Sequence, residues 1–216
     1  MTQRYTDIAF TGRVRSEQER NGTREHGLRL EARSQARELG ARERDFIAGR
    51  DSFFMATVNQ DGWPYVQHRG GVPGFLKVLG PTTVGFADFR GNLQYVSAGN
   101  LAGDPRVGLI MVDYARRWRL KLFGRARSVD VRDAPPALVQ SLSDAGYDAT
   151  VERLVLIEVE AYDWNCSQHI PQRFGVAEIA RLIRPLEARI AQLEARLRDA
   201  GIEPPPPPQG EHHETV

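Results

Sequence analysis

Between Phe53 and Tyr162 the chain is a succession of short β-branched and aromatic runs, punctuated by Gly, Pro, Asn and Asp. That texture restricts it to a sheet-rich fold. Candidate strands are Phe53–Val58, Trp63–Arg69, Phe75–Val78, Thr83–Asp88, Arg106–Asp113, Trp118–Val131 and Arg153–Tyr162. Asp61-Gly62 marks a hairpin, because both turn positions must accept positive φ. Leu120 and Leu122 alternate with Arg119 and Lys121, which puts one face of that strand in the core and makes the other cationic. Val155, Ile157, Val159 and Ala161 alternate in the same way against Glu158 and Glu160. Gly124 interrupts a run long enough for two strands and suits a bulge or a sharp barrel bend. Short helices are expected to end at Asn100–Gly103 and to span Pro135–Ala145. Many short strands with few long helices between them predict a mostly antiparallel barrel.

The flanks differ in texture. Residues 1–50 are polar and arginine-rich, with helical stretches near Leu28–Leu39 and Ala41–Ala48. After Pro171, Ile179, Ile183, Leu186, Ile190, Leu193 and Leu197 follow the spacing of a heptad seam. Two arrangements satisfy that pattern, a coiled coil or one amphipathic helix lying on its own barrel. Pro185 should kink the helix or mark its start. Pro204–Pro208 reads as a polyproline rod before a loose tail. The expected organisation is a helical arm at 1–50, a barrel domain at 51–173, an amphipathic helix at 174–203 and a proline-rich tail at 204–216.

Charge and composition narrow the function. Lys+Arg 29 against Asp+Glu 28 leaves a net charge of +1, without the basic excess of a nucleic-acid binder. No apolar run approaches the roughly 18 residues of a membrane span. Met1 to Phe10 is polar where a signal peptide is greasy, so a cytoplasmic location is expected, with neither membrane nor nucleic acid as partner. Only Lys77 and Lys121 could serve a Schiff base. Cys166 is the only cysteine, and His26, His68 and His169 keep company with arginine and glutamine, so no metal site is expected. Phosphate loops with lysine, GxSxG turns and HExxH motifs are all absent.

Three clusters carry chemistry. Gln67-His68-Arg69-Gly70-Gly71 closes a strand with hydrogen-bonding heads followed by glycines, which suits a planar heterocycle with an anionic tail. Asp88-Phe89-Arg90-Gly91-Asn92 leads to Gln94, Tyr95, Ser97 and Asn100. Arg90 there offers a bidentate grip on phosphate, and Ser97 and Asn100 lie at a helix N-terminus. The Trp164–Pro171 run sets a tryptophan among polar side chains, including Asn165, as a lid for something flat.

In this order the clusters resemble the flavin-binding split barrels of the pyridoxamine 5′-phosphate oxidase-like superfamily, above all its oxidase-related FMN-binding proteins. Phe53–Val58, Gly85–Asn92, Asp104–Val107 and Leu120–Ala126 extend the likeness over roughly 46–173. The resemblance implies a mainly β (α+β) fold, a six-stranded antiparallel split β-barrel with an N-terminal helical arm and a long C-terminal helix. It implies that Gln67, His68, Arg69 and Gly70 run along the flavin edge, and that Asp88, Phe89 and Arg90 lie near the phosphate. Asn92, Gln94, Tyr95, Ser97 and Asn100 would surround the ribityl phosphate, and Arg119 would stand near the pyrimidine ring. Trp164 and Asn165 would come from the partner subunit of a homodimer with FMN at its interface. The oxidase signature Arg-x-His-Asp-Arg is replaced here by Gln168–Arg173, which argues against vitamin B6 oxidation. His169 is the candidate proton donor, with a structural hydrogen bond across the interface as its other reading. The expected function is a flavin-dependent oxidoreductase taking hydride from NADPH or NADH to a small-molecule acceptor or oxygen. The alternative is a module that holds FMN, or haem through His68 or His169, without turnover.

Overall fold

The computed structural model describes residues 4–34, 37–144, 146–164 and 168–206. Four helices open the chain: α1 (Tyr5–Ala9), α2 (Gly12–Arg20), α3 (Arg24–Arg33) and α4 (Ala41–Ala48). The sheet follows, with β1 (Ser52–Val58), β2 (Pro64–Gly70), β3 (Lys77–Val78) and β4 (Thr83–Phe89). Then come α5 (Val96–Gly103), β5 (Arg106–Asp113), β6 (Trp118–Asp130), α6 (Pro136–Leu142), β7 (Val151–Trp164) and α7 (Val176–Asp199). Every pairing is antiparallel, in the order β2-β1-β5-β6-β7-β4-β3.

The sheet curls into a split barrel, with seven strands rather than the expected six. The extra one, β3, is a two-residue edge that pairs only with β4, cut short by Pro73-Gly74 before it and Gly80-Pro81 after it. Closure comes from side chains. Arg69 on β2 meets Asp88 on β4 at 2.5 Å, joining strands that lie at opposite ends of the hydrogen-bonded order.

Alternation fills the interior. Phe53 and Met55 of β1, Leu109 and Met111 of β5, Leu120 and Leu122 of β6, and Ile157 and Val159 of β7 are all buried in one cluster. Phe46 and Ile47 of α4 join the same cluster. Phe53 stacks on Phe75 at 5.4 Å and meets the Phe86 edge at 5.3 Å, geometries that aromatic pairs favour. A smaller cluster sets α6 against β4 and β7 through Leu142, Leu154 and Leu156.

β6 and β7 form one long hairpin, so the Trp118–Val131 run is a single strand with a bulge. The register slips between Phe123 and Gly124, leaving Glu160 of β7 as the extra residue. The outward face of β6 before the bulge is covered by the arm. Tyr5 of α1 stacks on Phe123 at 5.1 Å, and Lys121 Nζ lies 5.0 Å from the Tyr5 ring. The α2–α3 pair is tied by Arg15 on Glu31 and by Arg24 donating to Gln18. The helix predicted near Leu28–Leu39 stops at Arg33. The chain divides into two compact units, Met1–Pro171 and Gln172–Val216, and α7 is the helix of the second. Its start is Val176, with Gly175 N–H donating to Glu178, so Pro185 lies within the helix. Among the described residues, no helix is long and apolar enough to cross a membrane.

Gly124 is the tightest point of the bulge. A Cβ there would lie 2.7 Å from the Glu158 carbonyl oxygen and 2.7 Å from Ile157 Cγ2. Gly124→Ala should therefore cost about 1–3 kcal/mol, the usual penalty for overpacking. Urea unfolding measures it, with Gly108→Ala as the control, whose Cβ would meet nothing closer than 3.8 Å.

Candidate functional site

The end of β4, the loop after it and the first turn of α5 converge on β2. Along β2, Gln67 and Arg69 are half-buried, while His68 faces out, edge-on to Phe54. Beyond Phe89 the loop passes through two left-handed residues, Leu93 (φ 62) and Tyr95 (φ 53), neither of them glycine. Such backbone costs of the order of 1–3 kcal/mol per residue and clusters where geometry serves a ligand. Tyr95 is the N-cap of α5, and no side chain caps the helix. Val96, Ser97 and Ala98 thus line the cleft with first-turn N–H groups still to be satisfied.

The cleft is cationic at its base. Arg69 and Asp88 are a buried pair, their side chains 14% and 11% exposed, and Arg69 Nε is buried without a hydrogen-bond partner among the described residues. Burial pushes the Asp88 carboxyl above the usual range; Arg69 and then Arg153 pull it back, and Glu152 adds to the rise. Arg153 lies 4.5 Å over the Tyr95 ring, and the Tyr95 hydroxyl meets Glu152 at 3.2 Å. Ser97 Oγ donates to Gln67 Oε1 at 2.8 Å, and Asn100 Nδ2 donates to Thr57 Oγ1 at 2.9 Å, so α5 is pinned to both β2 and β1. Asn92 and Gln94 hydrogen-bond each other across the loop. The cavity measures about 60 Å³.

Of the residues expected at a ligand, Gln67, Arg69, Asp88, Phe89, Asn92, Gln94, Tyr95 and Ser97 line this cleft. Arg90 is not in the lining; its side chain is 61% exposed and lies 3.8 Å from Glu152. Arg153 and Glu152 line it instead, and the sequence reading missed them. No motif marks them; Arg153 reaches the cleft through register, since it lies inside β7, antiparallel and opposite Asp88.

Arg119 and Trp164 sit elsewhere. Arg119 pairs with Val112 near the start of β6, whereas Arg153 pairs with Asp130 at its far end, roughly 35 Å of strand away. Trp164, expected in a lid past the last strand, is the last residue of β7 and packs on its own chain. Its indole N–H donates to buried Glu43 at 2.7 Å, its ring meets the Phe46 edge at 4.8 Å, and Arg42 lies 4.1 Å over it. The physical reason is α4, which supplies both an acceptor and an aromatic wall. His169 is exposed on a left-handed turn (φ 62), and next to it the buried Ile170 accepts from Arg117. Asn165 lies outside the described residues, as does Cys166.

A larger cavity of about 630 Å³ lies between the arm and the outer face of β6 and β7, with Tyr5, Phe10, Arg42, Lys121, Asp163 and Trp164 in its lining. Burial pushes Asp163 up, against Lys121 at 3.9 Å. Among the described residues, no group of three or more His, Cys, Asp or Glu side chains could hold a metal ion.

Residues 39–163 match the family model described as pyridoxamine 5′-phosphate oxidase. This chain belongs to that family. The arm before Leu39 and the helix α7 lie outside the matched span. Among solved structures, the chain is similar to a protein related to general stress protein 26, of the pyridoxinephosphate oxidase family, from Clostridium acetobutylicum. Identity is 15% over 62% of this chain and 92% of that one, with a TM-score of 0.44. It is also similar to a pyridoxamine 5′-phosphate oxidase-related, FMN-binding protein from Nostoc punctiforme, at 15% identity, 53% and 73% coverage and a TM-score of 0.40. A third is HutZ, the heme storage protein from Vibrio cholerae, at 16% identity, 57% and 91% coverage and a TM-score of 0.38. No curated protein matches the chain.

The raised Asp88 carboxyl has a pH signature. Folding favours its protonated form, so its contribution is full below the unfolded carboxyl value of about 3.9 and is lost as pH rises through the folded value. Asp88→Asn cannot titrate. Its stability relative to the parent chain should therefore climb as pH rises through that window, in urea unfolding at steps from pH 3 to 7. A difference that stays constant with pH would place Asp88 in an ordinary, solvated setting.

Proposed function

We propose that this protein binds FMN in the β2–α5 cleft and works as a homodimeric flavin-dependent oxidoreductase. One observation carries the reading: Arg69, Arg153, Ser97 and the uncapped first turn of α5 surround one small space, and Arg69 Nε there lacks a partner. That donor set fits a phosphate group. A cavity of about 60 Å³ is far below the 300–1,000 Å³ of a closed small-molecule site, so a flavin ring must lie along the open side, past Gln67. Arg119 and Trp164, at the other end of β6, reach the same flavin only from a second copy. A two-fold dimer makes two such sites.

When bound, FMN supplies hydride and electron transfer, from NADPH or NADH as proposed donor to a small acceptor or oxygen. The chain supplies the rest. Arg69 and Arg153 neutralise phosphate, Ser97 and Gln67 orient the cofactor, and Arg119 places positive charge to favour its electron-rich form. His169, on its exposed turn, is the proposed proton donor. The haem reading relies on His68 or His169, and neither lines the cleft.

The spectrum of purified protein separates these readings. Flavin bands that bleach with NADPH, and a released cofactor with the mass of FMN, support the proposal; a Soret band without flavin overturns it. The phosphate grip is tested at the buried arginine. In an Asp88→Asn background, which avoids stranding a carboxylate, Arg69→Ala should weaken FMN binding by about 1.5–3 kcal/mol and leave riboflavin binding nearly unchanged. Arg90→Ala should cost far less. Equal losses for FMN and riboflavin would sink the phosphate role.

A further inference from the structure

The helix α7 carries an unbroken heptad register. Val176, Ile183, Ile190 and Leu197 fall at a positions, and Ile179, Leu186 and Leu193 at d positions. Among the described residues of the second unit, nothing covers the stripe; Ile183 is 41% exposed, Leu186 63% and Ile190 55%. β-branched residues at a with leucine at most d positions favour two parallel strands. Pro185 falls at c, off the seam, where its ring and missing N–H leave the apolar contacts intact.

The flanking charges name the partner. In the second and third heptads, positions e carry Glu187 and Glu194 and positions g carry Arg189 and Arg196, while the first heptad has Ala180 and Leu182 there. In a parallel pair, g of one helix meets e of the next heptad on the other, which sets Arg189 against Glu194 of a second copy, twice by symmetry. In an antiparallel pair, g meets g and e meets e, which would set arginine against arginine and glutamate against glutamate. The same sequence thus attracts itself in one orientation and repels itself in the other.

We infer that α7 pairs with α7 of a second copy as a parallel, in-register two-stranded coiled coil. This goes beyond the flavin reading and rests on none of its residues. Just over three heptads make a weak coil, so pairing gains from whatever else brings two copies together.

The test uses the full chain with Cys166→Ser, which removes its single cysteine. In a parallel pair each d residue faces its own counterpart, so Leu193→Cys should form a disulfide-linked dimer under mild oxidation at least tenfold faster than Ala188→Cys, at the outward f position. Arg189→Glu should slow that cross-linking several-fold, and the swap Arg189→Glu/Glu194→Arg should restore it. Equal rates at the two cysteine positions, or a charge swap that fails to rescue, overturn the coil. Should light scattering still report a dimer that binds FMN in that event, only the coil is lost and the shared-site reading stands.

Discussion

The bend at Gly124 is the constraint on which the rest of this molecule depends. β6 and β7 are the two longest strands, and in the hydrogen-bonded order their pairing alone links β2-β1-β5 on one side to β4-β3 on the other. A straight hairpin of that length would give a flat sheet with two exposed edges. The slip at Phe123/Gly124 turns it, and the turned half brings Arg153 opposite Asp88 while the other half presents Lys121 and Phe123 to the arm. Only glycine leaves room there for the Glu158 carbonyl. The cleft is therefore a consequence of barrel curvature, and Arg69–Asp88 fastens the last gap between strands that share no backbone hydrogen bond.

Much of this was legible in the sequence, and the reasons for the remainder are physical. β5 and α4 fall on their expected bounds because period-two and helical patterns both report directly on burial. The bulge was legible because glycine inside an alternating strand has few other uses. By contrast α1 and α2 bury little apolar surface, so no hydrophobic period marks them. Tyr5 on Phe123 and Arg4 donating to the Glu31 carbonyl hold α1, and Thr11 accepting from the Val14 N–H and Arg15 on Glu31 hold α2. Trp164 was misplaced for a related reason. Its partners, Glu43 and Phe46, lie some hundred and twenty residues away in sequence, and only tertiary structure reveals that a polar-looking segment end has a buried acceptor waiting.

The site shows the same division. The elements that form the cleft were found as a neighbourhood, yet Arg90, the arginine placed at its centre, lies outside the lining. Arg90 lies just past the end of β4 and points to solvent, whereas Arg69, an alternate position of β2, points inward. Alternation alone would put Arg90 on the face of Asp88, and the register shift between Asp88 and Phe89 breaks it. Arg153 was out of reach for sequence reasoning, since it enters only through the β4–β7 register.

A buried ion pair such as Arg69–Asp88 is a poor way to add stability, because desolvating two charges cancels most of their attraction. Its position offers a better account. A guanidinium held at the base of an anion cleft must have a counter-charge whenever phosphate is absent, or it would stand uncompensated in a buried setting. Asp88 provides that charge, and burial keeps the carboxylate itself reluctant, so it is a weak competitor for the guanidinium. In the proposed FMN site, a phosphate taking N–H donors from α5 would share Arg69 through the unpartnered Nε without first breaking the pair. The left-handed residues Leu93 and Tyr95 fit the same logic, since they deliver the helix to the cleft with its first turn uncapped. The pair, the strain and the open N–H groups are each unfavourable alone, and a phosphate bound as proposed would offset all three at one place.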